Sequence, residues 1–169
     1  MANTGCGPTA AAMVATAYGK KADPLDANSM SYATGMRAPD GSTNPDFFSG
    51  YAASKGYGMR RGPTSSGMIA SNLNKGRPVV LMGKGGAFGP DMHYIVANKI
   101  AGRGRVGFVD PWTGASRTTT MGSLMSNTAS TIYSYGKGPA SAPHSADESA
   151  PTSICLLYTS PSPRDRTRS

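Results

Sequence analysis

The sequence predicts an α+β fold, with helices in its first half and an antiparallel sheet in its second. Two observations predict it. Residues 5–75 hold helix starts, Ala-rich or three-to-four-spaced apolar residues, and glycine stops. Residues 78–135 hold short apolar runs separated by glycine-rich turns. Helices followed by strands, with no internal repeat, give N-terminal helices packed on an antiparallel sheet. The 169 residues suit one domain with a sizeable core. The 22 Gly and 13 Pro point to many loops.

The first helix is predicted over Gly5 to Gly19. Pro8 suits a first helical turn, where its missing N–H costs nothing. The Ala-rich run after it propagates a helix, Met13, Val14 and Ala17 share one face, and Gly19 ends it. A second helix is expected over Pro24 to Thr34. A third covers Pro45 to Ser54, anchored by Phe47, Phe48 and Tyr51. A fourth covers Ser65 to Lys75, with Met68, Ile69 and Leu73 inward. Pro78 to Met82 then reads as a buried strand, followed by a glycine-rich loop over 83–91. Met92 to Ile100 and Arg105 to Val109 form a hairpin through Ala101-Gly-Arg-Gly104. Short strands at Ser116 to Thr120 and Ser130 to Tyr135 complete the sheet, with a helical turn near Met121 to Met125.

Charge and ends set bounds on function. The net charge is +8, and residues 1–136 carry 13 Lys and Arg against 6 Asp. The basic residues are scattered, so no nucleic-acid partner is expected; a solvated basic surface or an anionic substrate fits better. No apolar stretch reaches the roughly 18 residues of a membrane span. No signal peptide is visible, and the chain is expected to begin inside a longer protein, with a truncated N-terminus. The folded domain is expected to end near residue 136. Residues 137–153, rich in Pro, Ala and Ser, read as a linker that includes a solvated His144. Residues 154–169 join an apolar patch to a Pro/Ser/Arg tail and resemble a translated sequencing adapter, a non-native tail that carries Cys155.

Three side chains carry chemistry. Cys6 stands at the start of the first predicted helix, where orphan N–H groups and the helix dipole stabilise a thiolate. Gly5 and Gly7 would let a substrate approach the backbone, and the Cys6 N–H would face an oxyanion. His93, the sole histidine of residues 1–136, begins a strand after the glycine-rich loop. A thiol and an imidazole are the minimal machinery of acyl transfer. Asp110 ends the partner strand of the hairpin, and counting back from the turn places it beside His93, where a carboxylate would orient the ring. Asp91 is the rival acid, read as a solvated loop charge. The loop Gly83-Lys-Gly-Gly-Ala-Phe-Gly89 lacks the ending of a phosphate loop, and no Cys/His set has metal spacing, so no cofactor and no metal are expected.

The strings Gly-Cys-Gly-Pro-Thr-Ala-Ala-Ala-Met, His-Tyr-Ile-Val-Ala and Gly-Phe-Val-Asp-Pro resemble the family-39 cysteine peptidases, papain-like enzymes that include the double-glycine leader peptidase domains of bacteriocin exporters. The resemblance covers residues 3–136. It implies a papain-like fold and a Cys-His-Asp triad at Cys6, His93 and Asp110. These families place a Gln shortly before the cysteine as an oxyanion donor; this chain has none anywhere, and Asn3 is a poor stand-in. Either the chain begins after that Gln or the site lacks it.

The leading expectation is a peptidase that works through a thioester acyl-enzyme. A murein amidase or endopeptidase with the same triad is the second, and an inactive papain-like peptide-binding domain the third. The partner is therefore a peptide or a peptidoglycan peptide. An extracytoplasmic location, secreted, wall-associated or on a phage particle, follows from the resemblance and composition.

Overall fold

A computed structural model describes residues 6–39 and 42–136. Residues 1–5, and with them Asn3 and Gly5, lie outside the described residues. So do the linker, His144, Cys155 and the adapter-like tail. In chain order the elements are α1 (Cys6–Ala17), α2 (Pro24–Ala33), α3 (Phe47–Lys55), β1 (Gly58–Gly62), α4 (Ser66–Asn74), β2 (Val79–Gly83), a 3-10 turn (Gly86–Phe88), β3 (His93–Gly102), β4 (Arg105–Val109), β5 (Ser116–Thr120), α5 (Met121–Asn127) and β6 (Thr128–Tyr135).

Local chemistry explains the boundaries. Asp23 caps α2 by accepting the Leu25 N–H at 2.8 Å. Ser65 caps α4 and Thr120 caps α5 in the same way, through the N–H groups of Met68 and Ser123. Gly56 ends α3 in the left-handed conformation, with φ 90°. Each predicted helix is present, with ends shifted by one or two residues.

The six strands form one antiparallel sheet in the order β1-β6-β2-β3-β4-β5. Alternation along the strands gives it two buried faces. Val80, Tyr94, Val96, Val109 and Ile132 pack with the residues of α1 and α3. Val79, Leu81, Ile95, Val106 and Phe108 pack with Ile69 and Leu73 of α4 and Leu124 of α5. The helices thus form two layers, α1 and α3 on one face of the sheet and α4 and α5 on the other.

Three expectations need correction. The first helix buries more than the face expected of Met13, Val14 and Ala17: Ala10, Ala11, Ala12, Val14 and Ala15 are all fully buried, because α1 runs between the sheet and the other helices, while Ala17 is only half-buried. Met68 is 40% exposed rather than inward, since α4 buries only Ile69 and Leu73. Strand β1 was not expected at all. It is an edge strand in which Arg60 and Arg61 face solvent and Met59 alone is deeply buried, so its sequence shows no apolar alternation.

The β3–β4 hairpin sets the geometry of the site. Its turn is tighter than expected, Arg103-Gly104, with Gly102 opposite Arg105. Ile100 lies opposite Val106 rather than Arg105. Two register shifts follow, and by Val96 opposite Val109 the pairing matches the count made from a four-residue turn. Those irregularities bring Asp110 to the His93 end of the hairpin, within side-chain reach of it. No helix of the described residues is long and apolar enough to cross a membrane.

Candidate active site

Cys6 is the first residue of α1 and is buried, with 7% exposure. It sits where the backbone N–H groups of a helix lack internal partners. His93 is the first residue of β3, and Asp110 follows β4 directly; they are 5% and 8% exposed. The three expected residues come together at one end of the sheet.

His93 Nε2–H donates to Asp110 Oδ1 at 2.8 Å. That uses one ring nitrogen and leaves Nδ1 on the Cys6 side. Nδ1 is buried and has no partner at close hydrogen-bond geometry, while hydrogen bonding and charge from Cys6 still act on the ring. Of the ring's two nitrogens, Nε2 is the one held by a short hydrogen bond.

The electrostatics follow from that arrangement. Burial alone would lower the pKa of His93. The Asp110 hydrogen bond, the Cys6 hydrogen bond and the charges of both outweigh it and push the imidazole up to about 9. Burial alone would raise the pKa of Asp110. The hydrogen bond and charge of His93, the Trp112 N–H and the Arg117 charge outweigh it and hold the carboxyl below its ordinary range. At neutral pH the ring is an imidazolium beside a carboxylate.

Asp110 is also held by its own turn. Its Oδ1 accepts the Trp112 N–H at 2.9 Å, and its backbone bonds Ala115 and Gly114 at 3.0 and 2.7 Å. The Asp-Pro turn signal and the orienting carboxylate are thus one feature: the turn fixes the acid. Asp91 is exposed, and the acid that bonds His93 is Asp110.

Gly7 serves a purpose other than the expected one. It is buried, and an added Cβ would lie 2.7 Å from Thr43. The space left by its missing side chain is filled by Thr43, not held open for a substrate. Tyr94 holds that loop in place by donating from its hydroxyl to the Thr43 carbonyl at 2.8 Å.

Sequence reasoning missed Thr43, Tyr94 and Trp112. Trp112 meets the His93 ring edge-on, with centroids 6.2 Å apart, and is 47% exposed. Its place two residues after Asp110 was the available signal. Beside it lies a cleft of about 490 Å³ lined by His93, Asp110, Trp112, Asp91, Phe88 and Arg117 among others. No group of three metal-ligating side chains occurs among the described residues. A buried thiol, an imidazolium and a carboxylate in series can transfer an acyl group.

Comparison with known proteins bears on this arrangement. The model of the Peptidase_C39 like family matches residues 1–139. No curated protein matches the chain. Among solved structures, the peptidase domain of Streptococcus ComA, a bifunctional ABC transporter involved in quorum sensing, is 16% identical with a TM-score of 0.61, over 79% of this chain and 92% of that one. The N-terminal peptidase C39 like domain of a toxin secretion ATP-binding protein from Vibrio parahaemolyticus is also 16% identical, with a TM-score of 0.52 over 77% and 97%. The fold is that of the C39 peptidase domain, a papain-like fold.

Proposed function

Since the chain belongs to the Peptidase_C39 like family, whose members are cysteine peptidases, we propose that it hydrolyses peptide bonds with Cys6 as nucleophile, His93 as acid and base, and Asp110 as the orienting carboxylate. The observation that carries this reading is the buried 2.8 Å His93–Asp110 bond, which turns Nδ1 toward Cys6. Cys6 attacks the carbonyl carbon as a thiolate whose proton is held on His93 Nδ1. The tetrahedral oxyanion lies at the start of α1, where the Cys6 N–H and the helix dipole favour negative charge. His93 then protonates the leaving amine, and a thioester on Cys6 remains. Water, deprotonated by His93, releases the acid. Asp110 keeps the ring in the tautomer and orientation these steps need.

The test is alkylation of Cys6 by iodoacetamide near neutral pH, in the wild type and in His93→Ala. Fast alkylation that slows in the variant supports the pair. A rate indifferent to His93 sinks it, and leaves a peptide-binding domain as the better reading. A second substrate, murein peptide, is favoured by one observation, the basic surface of residues 1–136. Release of peptides from purified murein separates it from cleavage of protein.

A further inference from the structure

Charge is divided unevenly along the chain. Residues 1–57 hold four Lys and Arg and four Asp, whereas residues 58–136, which build the sheet, hold nine and two. The sheet region therefore carries the whole cationic excess. Among the described residues the ion pairs are Arg61 with Asp46 and His93 with Asp110, so Lys99, Arg105 and Arg117 have no acidic partner there.

These three cations surround one edge of the sheet. Strand β5 stands last in the strand order and pairs only with β4. The register fixes which way its backbone points. The Asp110 N–H donates to the Ala115 carbonyl at 3.0 Å, and the Met121 N–H to the Gly104 carbonyl at 2.8 Å, at the two ends of the ladder. An antiparallel ladder alternates bonded and non-bonded pairs. Between those ends, Arg117 and Thr119 bond β4, while Ser116, Thr118 and Thr120 turn their N–H and C=O groups away from it. All three are exposed. Such an edge is a template for a further strand.

Both faces beside that edge are cationic. Ser116, Thr118 and Thr120 share a face with Gly107. Lys99 lays its stem across Gly107, where an added Cβ would sit 2.9 Å from Lys99 Cγ and 3.0 Å from Cε, and so extends over β4 toward β5. On the same face Arg105 donates from Nε and Nη2 to Thr118 Oγ1 at 3.2 and 2.8 Å. On the opposite face Arg117 lies over the Phe108 ring at 5.6 Å. The other edge strand differs: in β1, Arg61 is paired with Asp46 and Arg60 lies over the Tyr135 ring.

Charge selects the occupant. A second copy of this chain would set Arg105 and Arg117 against their own kind, a device that discourages self-pairing of edges. We propose that the β5 edge takes an extended, acidic stretch of polypeptide as an added strand. The outward backbone groups of Ser116, Thr118 and Thr120 hold it, and Lys99, Arg105 and Arg117 select its charge. The site is separate from the thiol chemistry, and its test reads binding alone.

The probe is the labelled peptide amide Thr-Glu-Val-Glu-Thr-Glu-Val, added to the full-length Cys6→Ala protein so that no peptide is cut. One comparator has Lys in place of every Glu. The other, Thr-Glu-Pro-Glu-Pro-Glu-Val, keeps the charge and lacks the donors of a ladder. The probe is expected to bind roughly tenfold or more tighter than either at low salt. Amide exchange slows at Ser116, Thr118 and Thr120, while Arg117 and Thr119, already bonded to β4, change little. Thr118→Pro removes an outward N–H without breaking a bond to β4, and weakens binding by roughly fivefold or more. Lys99→Glu with Arg105→Glu brings the ratio of acidic to basic peptide toward one. If Thr118→Pro misfolds, the alternating exchange pattern decides. Equal binding of the Pro peptide, or binding that slows none of the three amides, marks attraction by charge alone and overturns the proposal. So does binding without preference for the acidic peptide, or no binding at millimolar peptide. Slowing at these amides that rises with protein concentration in the absence of peptide also overturns it, because the occupant is then a second copy.

Discussion

The β3–β4 hairpin has two charged ends that behave in opposite ways. At one, His93 and Asp110 are buried and 2.8 Å apart, the imidazole pKa raised to about 9 and the carboxyl pKa lowered. At the other, Lys99, Arg103 and Arg105 are exposed to solvent around a two-residue turn. The same two strands carry both ends. The difference is the cover: α1 and the turn at residues 110–115 exclude water from the first end, and nothing covers the second. In a low-dielectric site a charge pair sets protonation state, whereas in water it is largely screened. Burial, not residue type, separates a catalytic charge from a solvated one.

Breaking the buried end should have the largest effect. Cys6→Ala is expected to lower hydrolysis by about 10⁴-fold or more, read as turnover of a peptide library by mass spectrometry. Asp110→Ala should cost about 10²–10⁴-fold, because the ring loses its orientation and the support for its charge. Retention of full rate in Asp110→Ala would show that the turn alone positions His93.

The pH profile sharpens the contrast. His93, raised from 6.5 to about 9, should produce an alkaline limb in kcat/KM near pH 9, as the ring loses the proton it delivers to the leaving amine. The same shift bears on stability. A raised pKa contributes stability that is complete below about pH 6.5 and lost as pH rises through about 9. Asp110, with its pKa lowered, contributes above the ordinary carboxylate range and loses this as pH falls through its folded value. Thermal unfolding of wild type and His93→Ala between pH 6 and 10 checks the first of these, since the slope should vanish in the variant.

Smaller effects follow away from the pair. Gly7→Ala should destabilise by about 1–3 kcal/mol, because Thr43 occupies the place of the new methyl group. Urea unfolding measures it, and a neutral result would show that the Thr43 loop moves at little cost. Arg105→Ala, at the exposed end, should change stability by no more than about 0.5 kcal/mol.

Much of this was legible before any coordinates. Pro8, the Ala run, the glycine stop at Gly19 and the spaced apolar residues of the later helices carry their own local physics, so the helices were placed within one or two residues. The two apolar runs around the glycine turn predicted the hairpin, and the count from that turn reached the right level at Asp110. It reached it by compensation, since a tighter turn was followed by two register shifts that no local pattern announces. Strand β1 was hidden because an edge strand with paired arginines has no alternation to read. Thr43 and Tyr94 were hidden because they act across 36 and 51 residues, Thr43 on Gly7 and Tyr94 on Thr43.

The sequence by itself determined residue chemistry and local form: a cysteine at a helix start, a histidine at a strand start, an acid in an Asp-Pro turn, and the α+β class of the whole. Only the tertiary structure decided which acid faces His93, which ring nitrogen is left for Cys6, and that Thr43 fills the space beside Gly7. The physical reason is range. Capping, propensity and turn geometry act over a few residues and leave their marks in the string. Desolvation, ion pairing and close packing act through space, between residues that the chain alone keeps far apart.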